Sequence, residues 1–173
     1  MNQNSQLELL HRKNKIMKNR IYAIIPARSG SKGLPHKNIK DLNGVPLLAY
    51  SIAFAKKLGC EKVICSTDSL EYAEIAQAYG AEVPFLRSKG AASDNAMEED
   101  ILKDLKKKFI ENDIDLPDFI VWLRPTFIFR DLEAIKDCIT KLREDDSFTA
   151  ARTVCETESR LYSLNENILK PNF

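Results

Sequence analysis

The apolar positions of this chain change period along its length, and the changes mark out alternating strands and helices. Residues 21–25, Ile-Tyr-Ala-Ile-Ile, form a continuous apolar run closed by Pro26, the pattern of a strand buried on both faces. Pro46 then suits the first turn of a helix in which Leu47, Leu48, Ile52, Ala55 and Leu58 keep helical spacing until Gly59 ends it. Lys62–Ser66 reads as a second strand. Asp68-Ser69-Leu70-Glu71 has the form of a capping box and opens a helix carrying Leu70, Ala73, Ala76 and Tyr79 up to Gly80.

The alternation continues downstream. Residues 82–85 read as a short third strand, and Ser93 or Asp94 as the cap of a helix with an apolar face of Met97, Ile101, Leu102, Leu105 and Phe109. A fourth strand is predicted over 119–123, ending at Arg124-Pro125, and Asp131 caps a helix built on Leu132, Ile135, Ile139 and Leu142. Residues 147–154 read as a fifth strand, and 162–164 with 168–169 around Asn165-Glu166-Asn167 as a hairpin. Apolar strands alternating with helices predict a parallel sheet covered on both faces. Ligands in such sheets bind beyond the carboxyl ends of the strands, so the loops after the first, second and fourth strands are where chemistry belongs.

Composition narrows the class of partner. The formal net charge is +1, whereas nucleic-acid-binding domains carry a large basic excess, so cationic chemistry here must be local. No apolar run has the length of a membrane span, and no signal-peptide core is visible. Cys60, Cys65, Cys138 and Cys155 form no C-x-x-C pair. They read as reduced, small apolar residues of a cytoplasmic protein in preference to a metal site or disulfides. Residues 1–20 stand apart: His11, Arg12, Lys13, Lys15, Lys18 and Arg20 follow Glu8 with no acid among them. They predict a disordered basic extension, with a functional basic arm as the alternative, and a single domain over 21–173.

The chemistry concentrates in the loop after the first strand, residues 26–38, which is long for a mere connection. Gly30 and Gly33 allow a tight turn and close approach of backbone to a ligand. Ser31 and the backbone N–H groups can donate to phosphate oxygens, while Arg28, Lys32 and Lys37 supply cations, Arg28 in forked geometry. A solvated basic turn is the plainer alternative. Two familiar phosphate loops are excluded. The lysine precedes Gly33 and Leu34-Pro35 follows, which is not G-x-x-x-x-G-K-[ST], and Gly30 and Gly33 have no third glycine to complete G-x-G-x-x-G.

Ile24-Ile25-Pro26-Ala27-Arg28-Ser29-Gly30-Ser31-Lys32-Gly33, followed by Lys37-Asn38, closely resembles the signature of the acylneuraminate cytidylyltransferases. These are the CMP-sialic acid synthetases and their relatives for legionaminic and pseudaminic acids. The resemblance continues through Asn43-Gly44-Val45-Pro46-Leu47, Ser66-Thr67-Asp68, Arg87, Ala92-Ser93-Asp94 and Leu123-Arg124-Pro125-Thr126, over about residues 21–173. A sparser similarity links the first loop to the cytidylyltransferases for Kdo. What the resemblance implies is a Rossmann-like three-layer α/β/α nucleotidyltransferase fold with a mostly parallel sheet. It further implies transfer of CMP from CTP to the anomeric hydroxyl of an acidic sugar, with Mg²⁺ as cofactor, in a cytoplasmic homodimer.

By the same resemblance Ala27, Arg28, Ser31, Lys32, Gly33, Lys37 and Asn38 hold the nucleotide. Arg28, Lys32 and Lys37 neutralise the leaving pyrophosphate, and Arg87 helps hold the cytidine. A strand-end surface arginine is the alternative for Arg87, and a helix cap is the preferred reading of Asp68. Arg124 stands where relatives carry glutamine, and Phe127-Ile128-Phe129 where they carry Ser-Pro-Leu, while Thr126 and Arg130 match. Arg124 and Thr126 are therefore expected at the sugar, the arginine suited to a carboxylate. Glu98 stands where some relatives have a serine on cytosine, and reads as a solvated acid in a helix's first turn. Relatives run further, through a segment bearing a metal-binding aspartate pair and much of the dimer contact. A C-terminally short chain leaves two expectations open: a cytidylyltransferase, or a catalytically incompetent nucleotide-binding module acting with a partner. A neutral sugar 1-phosphate nucleotidyltransferase fits the first loop less well.

Overall fold

A computed structural model describes residues 20–154 and the backbone of 162–165 and 168–171. The strands are β1 (Ile21–Pro26), β2 (Asp41–Leu42), β3 (Val45–Pro46), β4 (Lys62–Ser66), β5 (Phe119–Trp122), β6 (Tyr162–Asn165) and β7 (Ile168–Pro171). The helices are α1 (Leu47–Leu58), α2 (Leu70–Ala78), α3 (Glu98–Glu111) and α4 (Leu132–Glu144). A 3-10 turn spans Lys37–Ile39.

The central sheet is parallel, in the order β4-β1-β5, with Ile24 opposite Ile64 on one side and Ala23 opposite Val121 on the other. Because successive strand side chains point to opposite faces, the continuous apolar run of β1 serves two cores. Ala23 and Ile25 pack with Val63, Cys65, Val121 and Leu123 against Leu48, Ile52 and Ala55 of α1, Tyr72 and Ala76 of α2, and Ile139 of α4. Tyr22 and Ile24 pack with Ile64 against Ile101, Leu105 and Phe109 of α3. Tyr22 meets Phe109 edge-on, with ring centroids 6.1 Å apart. One face thus carries three helices and the other carries α3, which is the predicted layering.

Several elements fall where the pattern placed them. Gly59 closes α1 in the left-handed conformation, φ 81, and Asp131 caps α4 by accepting from the N–H groups of Glu133 and Ala134 at 2.9 and 3.1 Å. Asn43 and Gly44, at φ 54 and 81, turn β2 back onto β3 in a small hairpin the pattern did not suggest. β6 and β7 form the expected hairpin.

Other expectations are corrected. The third strand at 82–85 shrinks to a single bridge from Glu82 to Ile64, since Pro84 cannot donate to a ladder. Residues 147–154 form no strand: Phe148 and Val154 are exposed, and Asp145 draws the chain into a turn by accepting from the Ser147 and Phe148 amides. Neither Ser93 nor Asp94 caps α3. That helix starts at Glu98, with the Asp100 carboxylate accepting from the Met97 N–H at 2.8 Å, and Met97 is exposed. In α2 the buried face is Tyr72, Ala73 and Ala76, leaving Leu70 and Tyr79 exposed.

The basic extension expected at 1–20 lies, apart from Arg20, outside the described residues. Arg20 itself is tied to the sheet's edge, its N–H donating to Asp118 at 3.0 Å and its guanidinium pairing with Asp115 at 3.1 Å. Cys60, Cys65 and Cys138 are free thiols, with Cys65 buried in the core, and Cys155 lies outside the described residues. No helix among the described residues is long and apolar enough to cross a membrane.

Candidate active site

Where β1, β4 and β5 end, their loops enclose a cleft of about 250 Å³. This is the carboxyl edge of the sheet, where the fold predicts a ligand. Among its walls are Arg28, Ser31, Lys37 and Asn38 from the first loop, Arg87 and Asp94 from the segment leading into α3, Glu98 from that helix's first turn, and Arg124 and Thr126 after β5. The charged side chains are Arg28, Lys37, Arg87 and Arg124 against Asp94 and Glu98, a local positive excess inside a nearly neutral chain.

The first loop is braced from three sides. Ala27, fully buried, donates its N–H to the Ser66 carbonyl at 2.9 Å and fixes the loop's start to β4. Asn38, 4% exposed, donates from Nδ2 to the Arg28 carbonyl at 2.9 Å and ties the loop's two ends together. Asp68 accepts from the Ser29 N–H at 2.8 Å and from Ser29 Oγ at 3.0 Å. Asp68 is therefore not the cap expected from its sequence setting. Ser69 caps α2 instead, its Oγ accepting from the Tyr72 N–H at 3.4 Å, which frees the Asp68 carboxylate to hold the loop. His36 turns the chain at φ 56 into the 3-10 turn that presents Lys37.

Arg28 reaches across the cleft to the segment before α3. Its Nη1 donates to the Ser93 carbonyl at 3.0 Å and to Asp94 Oδ1 at 2.9 Å, while Lys32 pairs with Asp94 Oδ2 at 2.6 Å. The hydrogen bond from Lys32, then that from Arg28, holds the Asp94 carboxyl below its ordinary range. The two cations that the resemblance led us to expect at a triphosphate thus share one internal carboxylate. Ser31 Oγ is buried and, among the described residues, without a hydrogen-bond partner, so the loop keeps one unmatched polar atom at the cleft.

Arg87 is no strand-end surface residue: it is 7% exposed. Its Nε donates to Ser66 Oγ at 3.0 Å, its Nη2 to the Ser66 carbonyl at 2.6 Å, and its N–H to the Thr67 carbonyl at 2.7 Å. Burial pushes the guanidinium's pKa down, with Asp68 the main opposing influence, and an arginine stays charged regardless. Glu98 is the exposed acid in a helix's first turn that was expected, and it also has a partner. Arg124 Nε donates to Glu98 Oε1 at 3.0 Å, and Nη2 reaches the same oxygen. Behind this pair Arg130 donates to the Arg124 carbonyl at 2.6 Å and lies over the rings of Phe54 and Phe127.

The cleft thus gathers Arg28, Ser31, Lys37, Asn38, Arg87, Arg124 and Thr126, while Ala27 lies beneath it. Lys32 is 78% exposed and joins through Asp94, and Gly33 is not in the lining. Neither Gly30 nor Gly33 has positive φ, and a Cβ on either meets nothing within 4 Å. The expected need for glycine at these positions is therefore absent from this conformation. Sequence reasoning missed Asp68, Ser66 and Asp94 as site-building groups. The visible signals were Ser66-Thr67-Asp68 at the end of a buried strand and Ala92-Ser93-Asp94, both within the family resemblance.

Among the described residues no group of three His, Cys, Asp or Glu side chains could hold a metal ion. The carboxylates at hand are already engaged: Asp68 by Ser29, Asp94 by Arg28 and Lys32, Glu98 by Arg124. The described residues therefore offer no ready cage of three such ligands, whereas a Mg²⁺ held largely by phosphate oxygens needs only one or two carboxylates.

Comparison with known proteins places the chain in a family. The sequence model of the family described as Cytidylyltransferase matches residues 22–171. The chain belongs to the cytidylyltransferase family. It is 43% identical over 121 residues to the CMP-N,N'-diacetyllegionaminic acid synthase of Legionella pneumophila subsp. pneumophila, covering 69% of this chain and 52% of that protein. It is 35% identical over 147 residues to a pseudaminic acid cytidylyltransferase of Campylobacter jejuni subsp. jejuni, covering 83% of this chain and 63% of that protein. The chain therefore spans only 52% and 63% of the lengths of these relatives.

Among solved structures, a CMP:2-keto-3-deoxy-manno-octonic acid synthetase complexed with CTP superposes with a TM-score of 0.62 at 22% identity, covering 75% of this chain and 49% of that one. A 4-diphosphocytidyl-2C-methyl-D-erythritol synthase from Anaerococcus prevotii gives 0.57 at 15% identity, covering 91% and 65%. At such identities the likeness concerns the fold. It bears out the Rossmann-like α/β/α nucleotidyltransferase fold expected from the sequence.

Proposed function

We propose that this cytidylyltransferase chain transfers CMP from CTP to the anomeric hydroxyl of a nonulosonic, sialic-acid-like sugar acid, releasing pyrophosphate. The observation that carries the reading is the convergence of Arg28, Ser31, Lys37, Arg87 and Arg124 on one cleft at the carboxyl edge of the sheet. Transfer of this kind needs alignment and charge neutralisation more than covalent chemistry. The sugar hydroxyl forms a bond to the α-phosphorus and loses its proton, and the bond to the β-phosphate oxygen breaks. Arg28, Lys32 and Lys37 neutralise the departing pyrophosphate. Arg87 sides with the cytidine, and Arg124 with Thr126 holds the sugar acid, its guanidinium matched to a carboxylate. The relatives named for legionaminic and pseudaminic acids support a nonulosonic acid as acceptor.

Incubating the chain with CTP, magnesium and each of N-acetylneuraminic, N,N'-diacetyllegionaminic and pseudaminic acids, and measuring pyrophosphate, tests the reading. Release with one of the three and with CTP above other nucleotides is expected. No release with any pairing overturns it for this chain.

A second reading is favoured by the engaged carboxylates of the cleft. In it the chain binds CTP but turns it over only with further residues, from a partner or a second copy in a homodimer, that complete a Mg²⁺ site. Calorimetry separates the two, since CTP binding without turnover supports the second. Both place the protein in the cytoplasm, where CTP is made available.

A further inference from the structure

Arg87 lies in a stretch with little regular structure of its own. Between the lone bridge at Glu82 and the start of α3, the chain makes no strand or helix. A buried guanidinium aimed at Ser66 nevertheless requires its backbone to be held, because a shift of about 1 Å at a ligand-facing group is enough to lose its contacts. The segment's hydrogen bonds show what holds it. The Leu86 carbonyl, one residue before Arg87, accepts from Lys108 Nζ. The Ser88 N–H, one residue after, donates to Asp104 Oδ2 at 3.1 Å. Asp104 and Lys108 are one helical turn apart on α3 and pair with each other at 3.4 Å.

This pair is unlike its neighbours on the same helix. Lys103 and Glu99, also one turn apart, are 71% and 75% exposed, an ordinary solvated pair. Lys108 and Asp104 are 19% and 11% exposed, and the Lys108 ammonium lies 5.5 Å from the centre of the Phe85 ring. Burial alone would raise the Asp104 pKa, yet the bonds from Ser88 and the nearby Lys108 hold it below the usual carboxylate range. The Asp104 carboxylate is therefore ionised at neutral pH.

We infer that Asp104 and Lys108 are positioning residues for Arg87, a two-point clamp that grips the backbone on either side of it and so sets the guanidinium at the nucleotide's end of the cleft. The clamp itself is read from the hydrogen bonds above. Only its effect on CTP rests on the proposed function.

The test uses the whole chain. Lys108→Met removes the ammonium and keeps the stem on Phe85, Asp104→Leu removes the carboxylate, and Asp104→Asn keeps an acceptor for Ser88. In calorimetry with CTP, Lys108→Met and Asp104→Leu are expected to weaken binding about tenfold, and Asp104→Asn less, as for loss of a hydrogen bond to a charged group. In an Arg87→Met background the same changes should add almost nothing, because all act through one side chain. Equal losses in both backgrounds overturn the inference. Amide hydrogen exchange supplies a readout that does not need CTP. The Arg87 and Ser88 amides should exchange faster in the variants while those of β1 and β4 do not. Unchanged exchange at Arg87 also overturns it. If the unaltered chain binds no CTP, the proposed function fails, and the exchange measurement still decides the clamp. Should Asp104→Leu not fold, Lys108→Met and Asp104→Asn carry the test.

Discussion

Glu98 and Arg124 come to the mouth of the cleft from different places, the first turn of α3 and the loop after β5, and close on one oxygen, with Arg124 Nε 3.0 Å from Glu98 Oε1. Each stands where the sequence departs from the pattern of the acylneuraminate relatives, and the structure makes the two departures partners. At 64% and 50% exposed, the pair contributes about 0–1 kcal/mol to stability. Under the proposed function Glu98 is an exchangeable counter-ion, which a substrate carboxylate arriving at Arg124 would displace.

Replacing Arg124 by Met should therefore leave the melting temperature almost unchanged, within about 0.5 kcal/mol of stability. It should raise KM for the sugar acid roughly 10- to 100-fold, the loss expected for a charge-assisted hydrogen bond. Glu98→Gln removes the competitor and should lower that KM by a few-fold, with CTP affinity unaffected in both. Steady-state pyrophosphate release across sugar-acid concentrations checks this. An unmoved KM in both variants takes Arg124 out of the sugar subsite.

Asp68 and Ser69 are adjacent and should behave as unrelated residues. Asp68→Ala leaves the Ser29 N–H and hydroxyl without their acceptor, so CTP affinity should fall about tenfold or more as the phosphate loop loosens. Asp68→Asn, which keeps an acceptor for the Ser29 amide, should fall less. Ser69→Ala removes the α2 cap and should cost about 0.5–2 kcal/mol of stability with CTP affinity intact. Denaturant melts and calorimetry on the three variants give opposite orderings if this division holds.

The same two residues mark how far the sequence could be read. Local signals were legible: β4 at Lys62–Ser66 from its apolar run, the α4 cap from Asp131, the end of α1 from Gly59. Each depends on residues within a turn or two of one another. The cationic loop and Arg87, Arg124 and Thr126 were legible through the family resemblance. What the sequence hid were pairings across the fold: Asp68 with Ser29 across 39 residues, Arg28 with Asp94 across 66, Arg124 with Glu98 across 26. Asp68 satisfies a capping pattern locally, and only the parallel placement of β1 beside β4 brings Ser29 to it. The lost strand at 147–154 is the same lesson reversed, because its pattern permits a strand but Asp145 draws the chain into a turn instead.

Asp94 shares its two oxygens between Arg28 and Lys32 at 2.9 and 2.6 Å, so under the proposed function it is the internal anion a triphosphate would replace. Asp94→Asn should tighten binding of inorganic tripolyphosphate by about two- to fivefold, the size of an exposed ion pair, and steepen its salt dependence. Arg28→Ala should weaken the same binding tenfold or more. Since the Asp94 pKa is depressed in the fold, the pairing is present above the ordinary carboxylate value of 3.8 and is lost only as pH falls through a still lower one. The effect of Asp94→Asn should accordingly be the same at every neutral pH. Weaker binding by Asp94→Asn would mean that its tether to the loop outweighs its charge.

Stability should fall on the alkaline side, and two thiols carry a separable part of the fall. Burial pushes the Cys65 thiol up to about 12 and the Cys60 thiol up to about 11, from an ordinary 9.0. A thiol raised in this way stabilises the fold fully below the unfolded value and loses that contribution as pH rises through the folded one. The window therefore opens near 9.0 and extends to about 12. Burial also raises Tyr22 and Tyr72, but they titrate alike in the native chain and in a cysteine variant, so they cancel in the difference. Cys65→Ala should cost about 1–2 kcal/mol at neutral pH from lost packing, and its deficit against the native chain should shrink as pH passes 9.0. Cys60→Ala should show the same narrowing from a smaller starting deficit. Urea denaturation of the three proteins at neutral and alkaline pH measures it. A deficit independent of pH would mean that these thiols take up no more solvent on ionising than the unfolded chain gives them.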